Sequence, residues 1–119
     1  MTEPALTPQE TEAIATYFEG DRGLFLAFRQ TCLDQFGHDV AQADQACAAA
    51  DLEALRRVVH SLKSVLLTLG HADLADLAFQ AEALAKAGAA NAVDAWQGLR
   101  AAMVRRFALL PVADSAPQR

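Results

Sequence analysis

The 119-residue chain predicts an all-α fold, an up-down antiparallel four-helix bundle with a short additional N-terminal helix. Three observations carry this expectation. Alanine, the best helix former, occurs 27 times, against six glycines and four prolines. Apolar residues recur at three- and four-residue spacing along successive segments. The connections between those segments are only a few residues long, which sets neighbouring helices antiparallel. The hydrophobic share of 53% is therefore a modest set of Leu, Val and Phe, with alanine allowing close helix approach.

The first element begins at Thr7-Pro8-Gln9-Glu10. Thr7 suits a cap, Pro8 the first helical position, and Glu10 the third position of a capping box. This short helix should run to about Phe18 and stop at Gly20. Asp21 then caps a long second helix carrying Leu24, Phe25, Phe28, Cys32 and Phe36. A bend is expected at Gly37, with the pattern resuming through Val40, Ala43 and Cys47 to about Ala49. Asp51 caps the third helix, whose Leu52, Leu55, Val59, Leu62, Leu66 and Leu69 alternate strictly by three and four, as a bundle seam does. Gly70 ends it. A fourth helix follows, with Asp73 and Asp76 where negative charge suits the helix dipole, a stripe of Leu74, Leu77, Ala81 and Leu84, and Gly88 as its stop. Asn91 is expected to cap a fifth helix that buries Val93, Trp96, Leu99, Met103, Phe107 and Leu110 before Pro111. Residues 7–111 thus form one domain, with residues 1–6 and 112–119 expected to be flexible tails.

Ten basic against fifteen acidic residues leave a net charge of −5 and no basic stripe, which argues against nucleic-acid binding. Arg105-Arg106 reads as a solvated helix end. No apolar run approaches the ~18 residues of a membrane span. Met1-Thr2-Glu3-Pro4 lacks the features of a signal peptide, so a cytoplasmic address is expected. Cys32 and Cys47 lie roughly 20 Å apart along one helix, too far for a disulfide, and read as buried free thiols. His60 and His71 are separated by at least ~16 Å of helix axis and cannot share an ion, so no metal site is expected. No glycine-rich phosphate loop and no strand-turn-helix elbow is present, which removes ATP binding and serine-nucleophile chemistry.

The chemistry-bearing stretch is His60-Ser61-Leu62-Lys63-Ser64. On a wheel at ~100° per residue, His60 lies roughly 130° from the centre of the leucine seam, so its imidazole is expected to face outward or lie at the rim. Arg56, Lys63, Ser64 and Leu67 fall within about 60° of it. Lys63 and Arg56 are placed to offset the charge of a phosphoryl group on the imidazole. Ser64 is small enough to admit another protein and carries a hydroxyl able to donate. Leu67, large and apolar on the solvent side, suggests a docking patch. On local spacing alone, a solvated face with an incidental histidine competes with this reading.

The stretch from Ala50 to Ser64 resembles the histidine-containing phosphotransfer (HPt) domain. That family shows an aspartate opening the helix, a leucine, His-x-Leu-Lys-Gly and a later Leu-Gly. Here Asp51, Leu55, His60, Leu62, Lys63 and Leu69-Gly70 stand at matching offsets, and Leu74, Leu77 and Glu82 match the next helix. The resemblance spans roughly residues 21 to 110. The departures are Ser64, where glycine is usual, and Val65 and Leu66, where small residues are usual. It implies that His60 is the phosphoacceptor and that Lys63 stabilises the phosphoryl group; Glu82 is expected either to orient the imidazole through its other nitrogen or to be a solvated helix residue. Arg56 and Leu67 are expected at the docking face. With no kinase or receiver sequence beside it, the expected role is a freestanding phosphorelay intermediate rather than an enzyme, a monomer unless the Leu67 patch serves self-association. Its partners would be receiver domains and hybrid histidine kinases. It would have no cofactor of its own, with Mg2+ on the receiver. The competing expectation is a helical adaptor that binds a signalling partner without phosphorylation.

Overall fold

The computed structural model describes residues 5–109, which fold into five α-helices. These are α1 (Pro8–Tyr17), α2 (Arg22–Ala48), α3 (Leu52–Thr68), α4 (Ala72–Lys86) and α5 (Ala92–Phe107). Around the core, α3 packs on both α2 and α4, α4 packs on α5, and α5 returns to α2. The expected ends at residues 1–4, together with Leu110, Pro111 and residues 112–119, lie outside the described residues. Leu6, assigned above to a tail, packs against the core.

Local hydrogen bonds set three of the helix starts. Thr7 Oγ1 accepts from the Glu10 amide at 3.0 Å while Glu10 Oε1 accepts from the Thr7 amide at 3.0 Å, completing the capping box. Asp21 and Asp51 each accept from the amide three residues on, at 3.0 Å. Asn91 occupies the cap position of α5 but makes no side-chain cap bond, because Val93 N instead bonds the Ala90 carbonyl. Helix α5 stops at Phe107, where Ala108 turns left-handed with φ 52°.

Helix α2 runs unbroken for 27 residues through Gly37, the position of the expected bend. One helical glycine costs about 1 kcal/mol. Phe36 and Val40, both buried beside it, hold the helix through that position. Leu24, expected in the stripe, is 55% exposed, and the buried side is carried by Phe25. On α4 the deeply buried positions are Leu74, Ala75, Ala78, Ala81 and Ala85, while Leu77 and Leu84 only flank the core. On α5 Ala92 is buried and Val93 is half-buried, the reverse of the expectation. Cys32 is buried and Cys47 half-buried, and both are free thiols.

Two polar clusters pin the helices. Trp96, fully buried, donates from Nε1 to Asp44 Oδ1 at 2.8 Å, and Arg100 Nε pairs with Asp44 Oδ2 at 2.9 Å, tying α5 to α2. The second cluster seats α1. His71 Nε2 lies 3.0 Å from Glu10 Oε2, and both side chains are almost completely buried. Arg106 Nη1 lies 3.0 Å from His71 Nδ1, and the same guanidinium binds Asp73 through Nη2 at 2.6 Å. Arginine only donates, so Nδ1 accepts and Nε2–H donates to Glu10: the ring is neutral. Arg29 Nε faces Glu10 Oε2 at 3.6 Å, and the Phe107 ring meets the imidazole edge-on at 4.9 Å. Arg105 and Arg106 are exposed at the end of α5, as the sequence suggested, but Arg106 also ties that end to the buried His71–Glu10 pair.

This cluster makes stability pH-dependent. Burial pushes the His71 pKa below its ordinary 6.5, helped by Arg106 and Arg29 and opposed by Glu10. Between the folded and unfolded values the unfolded chain holds a proton that the folded chain does not. The contribution is complete above about pH 6.5 and is lost as pH falls below that and through the lower folded value, by at most about 1.4 kcal/mol per pH unit. Denaturant titrations between pH 5 and pH 7.5 should show this slope in the native chain and a shallower one in His71→Gln. Equal slopes would refute the assignment.

Candidate functional site

The α3 seam sets the direction of His60. Leu55, Val59, Leu62 and Leu66 are buried at 2% exposure or less, which turns the intervening face outward. His60 is on that face, with its side chain 59% exposed. The alanine stripe of α4 removes bulk between the helices, so a side chain from α4 can reach across. Glu82, next to buried Ala81, does so.

One carboxylate bridges both expected residues. Glu82 Oε2 lies 2.6 Å from His60 Nδ1, and Glu82 Oε1 accepts from Lys63 Nζ at 2.8 Å. The Glu82 side chain is 14% exposed and that of Lys63 31%, so the pair is drawn into the groove while the imidazole stands out of it. The Lys63 hydrogen bond holds the Glu82 carboxyl below the usual carboxylate range, against a partial desolvation cost and with help from His60. An ionised carboxylate only accepts, so Nδ1 carries the hydrogen and, in the neutral ring, Nε2 bears the lone pair. Among the described residues no side chain bonds Nε2.

The remaining expected residues are placed as follows. Ser64 is exposed one turn after His60, its carbonyl accepting from Thr68 Oγ1 at 3.0 Å and its hydroxyl bonded to no group among the described residues. Leu67 is 47% exposed and lines a shallow hollow between α1 and α3 with Ala13, Thr16 and Tyr17. Arg56 is committed elsewhere: its guanidinium binds Glu53 through two bonds of 3.0 and 2.7 Å, and Glu53 holds its pKa up. The Glu82 charge also helps hold the Arg56 pKa up, but the Arg56 donors are bonded to Glu53 along α3. His71 belongs to the α1 cluster described above, apart from the His60 site.

Phe79 was missed by the sequence reading. It stands one turn before Glu82 on α4, is 58% exposed, and its ring centroid lies 5.5 Å from Lys63 Nζ. The available signal was a large aromatic outside the Leu74, Leu77, Ala81 and Leu84 stripe.

The arrangement is an exposed imidazole on a helical bundle, backed by a carboxylate and a lysine. A family model described as the Hpt domain matches residues 27–109. The chain belongs to the Hpt domain family. No curated protein and no solved structure matches this chain. Hpt domains are phosphocarriers of two-component signalling that work with receiver domains and histidine kinases. Among the described residues no helix is long and apolar enough to cross a membrane.

Proposed function

We propose that His60 accepts a phosphoryl group from the aspartyl phosphate of a receiver domain and passes it to a second receiver. The closed order of helix contacts supports reading α2 to α5 as the up-down antiparallel four-helix bundle that mounts it. The observation that carries the proposal is the ring held at Nδ1 by Glu82, with 59% of the side chain exposed and no side chain among the described residues bonded to Nε2.

In the forward step the Nε2 lone pair forms the bond to phosphorus as the bond to the aspartyl oxygen breaks, and the carboxylate leaves with that electron pair. The ring gains positive charge during attack. Glu82, accepting from Nδ1–H, stabilises that charge without needing to take the proton, and keeps the ring in the reactive tautomer. Lys63 offsets the negative charge of the transferred group. Ser64 leaves room for the receiver and has a free hydroxyl for a phosphoryl oxygen. Leu67 extends the apolar docking face. The second transfer is the reverse of the first. Magnesium and the acidic pocket are expected on the receiver, so this chain contributes position and electrostatics.

The test is transfer from a ³²P-labelled receiver, which should give an acid-labile, base-stable label on this chain. Lys63→Ala should fold normally and slow transfer by about ten- to hundredfold, the loss of one charge-assisted bond. Unchanged transfer in Lys63→Ala would remove Lys63 from the site.

A further inference from the structure

We propose that Phe79 is a positioning residue for Lys63, its ring face holding the ammonium beside His60 without occupying any of its N–H donors. The inference rests on the phosphotransfer reading above and assigns a role that the carboxylate contact cannot fill.

Lys63 carries a flexible four-carbon stem and one compact charge with three donors. Its single described hydrogen bond is to Glu82 Oε1 at 2.8 Å. That bond must loosen if the ammonium is to turn a donor toward a phosphoryl oxygen on His60. A side chain held only by Glu82 would then be free to swing into solvent, since 31% of it is already exposed. The Phe79 ring supplies a second hold. At 5.5 Å from the centroid the ammonium lies within the ~6 Å range of a cation–π contact. That attraction depends on charge and distance and consumes no donor. The ammonium can rotate from Glu82 toward the phosphoryl group while remaining over the ring.

The placement fits this use. Phe79 and Glu82 are three residues apart on α4 and so share one face. They meet the Lys63 head group from the same helix, with ring and carboxylate at successive turns. Phe79 is 58% exposed, so core packing does not account for it.

The test uses the full chain with Phe79→Leu, which keeps apolar bulk and removes the π-face, and Phe79→Tyr, which keeps the face. Phosphoramidate serves as phosphoryl donor because it is small and needs no protein docking. Phe79→Leu should slow uptake by about two- to fivefold, the size of an exposed cation–π contact, and Phe79→Tyr should restore it. By NMR, the Lys63 Hε protons should lose their ring-current shift in Phe79→Leu and keep it in Phe79→Tyr. Thermal unfolding should be nearly unchanged in both.

Native uptake in Phe79→Leu with phosphoramidate, paired with slowed transfer from a receiver, would make Phe79 a docking contact and overturn the proposal. Equal rates in the leucine and tyrosine variants would overturn it too. If the native chain takes label from neither donor, the phosphotransfer reading has failed. The Hε shifts then still decide whether the ring holds Lys63.

Discussion

A His60→Gln chain should take up no label from a phosphorylated receiver, with incorporation falling to background. Glutamine is close in length to histidine and can donate from its amide to Glu82, so the groove between α3 and α4 keeps a hydrogen bond. It has no basic nitrogen, because its amide lone pair is delocalised into the carbonyl. Chemistry is removed while shape is nearly kept. The side chain is 59% exposed, and its neighbours Val59 and Leu62 carry the packing. A surface change of this kind costs within about 0.5 kcal/mol. Circular dichroism and the unfolding midpoint should therefore match the native chain. Label retained by His60→Gln would place the phosphoacceptor elsewhere. Loss of label with loss of fold would give His60 a structural role that its exposure contradicts.

Gly70→Ala should be the most damaging single-methyl substitution among the turns. Gly70 has φ +89°, and a Cβ added there would come within 2.7 Å of the Gln9 carbonyl oxygen and 2.9 Å of Glu10 Cα. Those are backbone atoms of α1, which cannot rotate away as a side-chain tip can. Relief requires moving the start of α1, where Glu10 joins Thr7 and His71. Left-handed strain and overpacking together put the cost at about 2–4 kcal/mol. Gly88 is the control, since its φ is +72° and nothing lies within 4 Å of the added methyl. Gly88→Ala should cost only the conformational part, about 1–2 kcal/mol. Urea midpoints of the two variants separate the terms. If Gly70→Ala is no worse than Gly88→Ala, α1 is not seated against this turn as described.

The two substitutions show why part of the molecule was legible and part was not. The caps at Thr7, Asp21 and Asp51 join residues three apart, and such bonds are written in local order. The α3 seam is a periodic stripe, and it foretold both the buried leucines and the outward His60. Glu82 came from family resemblance, and its contact with His60 spans 22 residues. Nothing local marked Arg106 for His71 and Asp73, 35 and 33 residues away, and a basic pair near a helix end reads as solvated until the partner helix is placed. Asp44 beneath Trp96 is the same case, at a separation of 52.

The order of residues was sufficient for an all-α chain, for its helix starts, and for the histidine–lysine face, because these follow from spacing along one helix. It did not reveal that Arg56 turns to Glu53, that Ala75, Ala78 and Ala85 rather than Leu77 and Leu84 are buried on α4, or that Phe79 stands under Lys63. Those outcomes depend on how far apart two helix axes settle and how each is rotated about itself. That geometry follows from packing summed over the whole core, and no single segment carries it.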